Sequence, residues 1–76
     1  MMHVDLELDL KGAHCPLPLL KAKQAMNQLN SGQTLRVLTT DPGSARDFTS
    51  FARLAGHRLL VNEERLGVFT YVLKHK

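Results

Sequence analysis

Seven residues, Gly12-Ala13-His14-Cys15-Pro16-Leu17-Pro18, separate two incompatible hydrophobic periods and so limit what this chain can fold into. Before them, Val4, Leu6, Leu8 and Leu10 alternate with Asp5, Glu7 and Asp9, the pattern of a strand with one buried and one wet face. After them, from Pro16 to about Asn30, Leu17, Leu20, Met26 and Leu29, with Ala22 and Ala25, line one helical face. Lys21, Lys23, Gln24, Asn27 and Gln28 mostly fall elsewhere. A strand hands over to a helix between two prolines, and the one cysteine of the chain sits at the handover.

The remaining elements follow from their punctuation. Asn30-Ser31-Gly32 stops the first helix, and Thr34 to Thr40 is a short β-branched strand. Asp41-Pro42 predicts a second helix start, with Asp41 as N-cap and Pro42 at the first helical position. Ala45, Phe48, Ala52 and Ala55 then recur at helical spacing, and Gly56 ends the run, placing His57 as a partner for the negative end of the helix dipole. His57 to Asn62 and Val68 to Lys74 read as two strands joined across residues 62–67, a hairpin longer than two residues. The order βαβαββ predicts an α/β (α+β) two-layer sandwich: a four-stranded mixed sheet with two helices on one face.

Residues 1–76 make a single domain, which at this length buries only about 60% of its unfolded surface. With three Phe, one Tyr and no Trp, the core is built from Leu, Val and Ala. Such a core leaves no room for a buried cofactor, so chemistry is expected at the surface and no cofactor is expected. The ten Lys and Arg are scattered, giving a formal charge of +3, the mark of an ordinary solvated surface. No apolar run approaches the roughly 20 residues of a membrane span, and the N-terminus reads Met-Met-His-Val-Asp-Leu-Glu with no signal segment. A cytoplasmic protein with a reduced thiol is expected.

Cys15 is the candidate reactive group. A following proline pushes a residue toward extended geometry, which suits an N-cap, and Pro16 then fits the first helical position. A thiolate there is favoured by the helix macrodipole. Pro18 limits the effect, because it removes one of the N–H groups a capping sulfur would use, and Leu17 N–H is left for that role. A moderately activated thiol is expected, which suits repeated transfer better than a very stable thiolate. No second cysteine exists, so internal disulfide cycling is excluded, and a His14-Cys15 pair has too few ligands for a metal site. Attack on an external sulfur, giving a persulfide or mixed disulfide, remains possible. The bland alternative is that Cys15 is a small buried residue.

Leu8-Asp9-Leu10-Lys11-Gly12-Ala13-His14-Cys15-Pro16-Leu17-Pro18, with Ser31-Gly32-Gln33-Thr34-Leu35 and Asp41-Pro42-Gly43-Ser44-Ala45-Arg46-Asp47, resembles the TusA/SirA-like sulfur-carrier family over nearly the whole chain. The resemblance implies a two-layer sandwich in which Cys15 carries sulfane sulfur as a persulfide and Pro16 and Pro18 position it. It implies a cysteine desulfurase or rhodanese-like donor and a downstream acceptor protein. Pathways served by relatives include tRNA 2-thiolation, in which RNA is met only indirectly, molybdenum-cofactor maturation and sulfur oxidation. Where a basic residue often precedes the motif cysteine, this chain has His14. Lys11, His14, Lys21, Lys23 and Arg46, with Arg53, are candidates for a basic rim that meets acidic partners, and a monomer is expected. Two other readings compete: a non-catalytic adaptor or regulator of the same fold, and a small RNA-binding domain. The latter lacks a stacking platform, since Phe48 and Phe51 fall in a helix.

Overall fold

A computed structural model describes residues 3–14 and 16–76; Met1, Met2 and Cys15 lie outside the described residues. The elements run β1 (Leu6–Leu10), α1 (Leu17–Asn27), β2 (Thr34–Thr39), α2 (Ser44–Ala55), β3 (Arg58–Arg65) and β4 (Val68–Lys74). The sheet order is β1-β2-β4-β3, with β1 and β2 parallel and the β2–β4 and β3–β4 pairs antiparallel. The predicted mixed four-stranded sheet and βαβαββ order are therefore observed.

The strand alternation sorts the two faces of the sheet. Leu6, Leu8 and Leu10 pack against a core of Ala22, Ala25, Met26, Leu35, Val37, Phe48, Ala52, Tyr71 and Leu73. Glu7 points the other way, where its carboxylate meets the Arg36 guanidinium on the neighbouring strand. Three alanines on the helices, Ala22, Ala25 and Ala52, bring helix backbone close to the sheet, and the larger rings of Phe48 and Tyr71 fill the remaining space. These rings stack with centroids 4.6 Å apart.

Three expectations are corrected. The face of α1 turned to the core carries Pro18, Ala22, Ala25 and Met26, whereas Leu17 and Leu20 are 42% and 49% exposed. The helix also stops at Asn27, because Gln28 and Leu29 N–H groups donate to Ala25 and Met26 carbonyls in tightened turns. Finally, β3 runs on to Arg65, so the hairpin loop is only Leu66-Gly67. Both of its residues have positive φ, +53° and +82°, as a type I′ turn requires. Leucine is a poor residue for that turn and its side chain is 95% exposed, so the usual sequence signal for a two-residue hairpin is missing.

Candidate functional site: the first helix start

The parallel β1–β2 pair sends both strands out at the same end of the sheet, where both helices begin. Thr39 pairs with Leu10 on one side and Phe69 on the other, so the Leu66-Gly67 turn also lies at this end. After Leu10 the chain turns sharply. Lys11 N–H donates to Asp9 Oδ1 at 3.1 Å, Gly12 N–H to Thr40 Oγ1 at 2.9 Å, and Ala13 N–H to the Leu10 carbonyl at 3.1 Å. Gly12 takes φ +88°, a conformation that side-chain-bearing residues strain to adopt. The β1–α1 loop is thus pinned on three successive amides before it reaches His14.

The helix begins one residue later than the sequence predicts. Pro16, with φ −95° and ψ 11°, is the N-cap and Leu17 the first helical residue. Leu17 N–H, expected to serve a capping sulfur, donates instead to the His14 carbonyl at 2.9 Å. The prolines explain this: with no N–H at 16 or 18, the amide between them closes a turn back onto the loop. Cys15 lies outside the described residues, and its predicted N-cap position passes to Pro16. Pro18 is fully buried and anchors the helix start in the core. Among the described residues, the first turn of α1 holds no acidic residue and no side-chain cap hydrogen bond, at the end of the helix where negative charge is favoured.

The start of α2 is built the other way. Asp41 is not its N-cap: Gly43 is, and Asp41 folds a turn ahead of the helix, its Oδ1 accepting from Gly43 N–H at 3.1 Å and its carbonyl from Ser44 N–H at 3.1 Å. Thr39 Oγ1 accepts from Asp41 N–H at 3.1 Å. The Ser44 hydroxyl is buried and hydrogen-bonded to the Tyr71 hydroxyl at 2.7 Å. Asp47 adds a carboxylate in the first turn. Burial raises the Tyr71 pKa above 10.0, with the Ser44 hydrogen bond opposing and the charges of Asp41 and Asp47 reinforcing the shift.

The predicted basic rim is only partly assembled. Lys11 Nζ lies 3.5 Å from Asp9 Oδ2, an exposed pair of small energetic weight. His14, Lys21, Arg46 and Arg53 are exposed. Lys21 and Lys23 stand roughly 200° apart around the helix and do not share a face. Lys23 turns instead toward α2, its Nζ 5.8 Å from the centroid of the Phe51 ring. There it lines an open cavity of about 420 Å³ between the helices with Leu19, Asp47, Phe51 and the 82% exposed Leu54. The sequence pattern missed Thr40 and this cavity, because each depends on residues far apart in the chain. Among the described residues no cluster of three or more His, Cys, Asp or Glu could hold a metal ion, and no helix is long and apolar enough to cross a membrane.

Residues 6–75 match the family model described as sulfurtransferase TusA. The chain belongs to the TusA family. It is 46% identical over 74 residues to the sulfur carrier protein TusA of Allochromatium vinosum, covering 97% of each chain. The TusA sulfur carrier of Pseudomonas putida is 38% identical over 72 residues, with 95% of this chain and 90% of that one covered. The crystal structure of the SirA-like protein from Desulfitobacterium hafniense superposes with a TM-score of 0.80 at 26% identity, covering 91% of this chain and 95% of that one. Family and fold agree with the TusA/SirA-like resemblance carried by the motif around Cys15.

Proposed function

We propose that this protein is a sulfur carrier that accepts sulfane sulfur on Cys15 and hands it to an acceptor protein. The observation that carries the reading is the first helix start, free of acidic residues in its first turn, directly after the lone cysteine of a TusA family chain. Relatives named sulfur carrier proteins support it. In loading, the Cys15 thiolate attacks the outer sulfur of a donor persulfide. A new S–S bond forms on Cys15, the donor S–S bond breaks, and the donor leaves as a thiolate. Delivery repeats the step with an acceptor thiolate as nucleophile, so one sulfur moves with no net oxidation. The two reacting forms of the carrier, thiolate and persulfide anion, are both negative, and the positive end of a helix favours both. Pro16 and Pro18 position the sulfur, and Lys11 and His14 precede it in sequence. The donor is a cysteine desulfurase or rhodanese-like protein, met in the cytoplasm, and the acceptor belongs to tRNA thiolation, molybdenum-cofactor maturation or a related sulfur pathway.

Mass spectrometry after incubation with a cysteine desulfurase and cysteine tests the reading. Wild type is expected to gain one sulfur atom, and Cys15→Ser none. No adduct on the wild type with several donors would favour an adaptor of the same fold instead.

A further inference from the structure

We infer that Leu66 is an anchor for the sulfur donor protein: its side chain enters an apolar pocket on that partner, with a carboxylate at the pocket rim to meet Arg65. Leu66 is the one non-glycine residue at positive φ among the described residues, at +53°. It is also the most exposed large hydrophobic side chain among them, at 95%. Leu17, Leu20, Leu54 and Leu60 are exposed as well, but none of them has positive φ. Left-handed backbone crowds a Cβ, and the exposed side chain gains no burial inside the molecule. Asparagine or glycine would make the same type I′ turn with less strain. Leucine at 66 therefore works against the fold twice. A local rule broken with no compensation inside the molecule implies a use outside it.

The hairpin holds this side chain out on a firm base. Arg65 and Val68 form the last β3–β4 pair, Glu64 Oε2 accepts the Gly67 N–H at 2.6 Å, and Phe69 packs against the core. A side chain presented this way loses little freedom when it enters a pocket. A single convex apolar point fits a concave apolar site, and such anchors carry much of the energy of protein interfaces. Arg65 beside it is exposed and makes no ion pair among the described residues, so an acidic rim complements it. The position suits the donor. Thr39 pairs with both Leu10 and Phe69, so the tip lies at the end of the sheet where both helices start. A protein docking over the β1–α1 loop approaches the end of the molecule that also carries Leu66.

The identity of the partner rests on the carrier reading above, and the test separates the two. Binding of a cysteine desulfurase and of a rhodanese-like donor would be measured by calorimetry with wild type, Leu66→Asn and Leu66→Met. Urea unfolding and sulfur loading by mass spectrometry accompany it. Leu66→Asn relieves the turn and removes the apolar side chain. It is expected to raise the urea midpoint and to weaken binding of the donor by about ten- to a hundred-fold. Leu66→Met keeps the apolar bulk and should bind within a few-fold of wild type at an unchanged midpoint. Arg65→Glu should weaken binding most at low salt, and no effect would remove the acidic rim from the proposal. Equal binding by Leu66→Asn and wild type would overturn the inference, and so would binding of wild type by neither donor. Self-association of the wild type that Leu66→Asn abolishes, followed by sedimentation, would overturn it in favour of a second copy. If a donor binds through Leu66 but loads no sulfur, the carrier reading fails and the anchor stands.

Discussion

The two helices start at the same end of the sheet and are finished in opposite ways. The α2 start is closed: an Asp41 turn precedes it, Asp47 supplies negative charge, and Ser44 is buried against Tyr71. The α1 start is open: prolines at 16 and 18 remove its amides, Leu17 N–H turns back to His14, and no acidic residue follows in the first turn. A helix end satisfied by its own chain serves stability, whereas one left positive favours an anion brought from elsewhere. The comparison sets a start closed by its own chain beside the start on which the proposed sulfur chemistry rests.

The sharpest way to break it is at the closed start. Tyr71→Phe strands the Ser44 hydroxyl in the core and is expected to lower stability by about 1–3 kcal/mol in denaturant unfolding. Adding Ser44→Ala should recover part of the loss, because both polar partners are then gone. The alkylation profile of Cys15 should stay within error of wild type in either variant. A large change in thiol reactivity would mean that the two starts are not separate in role.

Making the open start resemble the closed one gives the next effect. Leu17 is substantially exposed, so Leu17→Asp puts a carboxylate in the first turn of α1 without emptying the core. Folding should be unaffected or slightly favoured by the dipole. The thiol pKa should rise, slowing alkylation at pH 7 by about three- to ten-fold, equivalent to 0.5–1 unit. An unchanged rate would show that the helix field does not govern the sulfur.

The smallest effect belongs to the opposite end of the sheet and should leave the comparison intact. His57 was expected to act as a charged partner of the α2 C-terminus, but burial, then the charges of His75 and Lys76, hold its pKa below 6.5. Its ring lies 4.7 Å from that of His75, and its Nδ1 accepts the Lys76 N–H at 3.2 Å. The neutral ring is thus the folded form. Because the unfolded state binds the proton more readily, His57 makes stability fall as pH drops through the window just below 6.5, and the loss is complete below its depressed value. Thermal unfolding across that window should show a shallower decline in His57→Gln. An equal decline would assign the pH dependence to other groups.

The periods of the chain were enough to read the fold. Leucines alternating with acids in β1, alanines and Phe48 at helical spacing in α2, and Gly56 at its end all specify local geometry and which face is buried. What was misread depended on competition between neighbours. Asp41 has the chemistry of an N-cap, yet its carboxylate is taken by Gly43, and the helix waits until Ser44. Leu17 and Leu20 fit the apolar stripe of α1, yet Pro18 and the alanines occupy the core face. Lys21 and Lys23 were grouped as one rim although helical geometry parts them.

The sequence by itself determined the element order, the lone thiol just ahead of two prolines and the absence of a second cysteine in these residues, because these are properties of residues and their immediate neighbours. Tertiary structure decided how the connections at that end of the sheet are tied together. The Thr40 hydroxyl reaches Gly12 only because β1 and β2 are parallel and in register, and the start of α2 is closed only because β4 brings Tyr71 beneath Ser44. Contacts between residues about 28 apart follow from how the strands pair, and no local pattern records them.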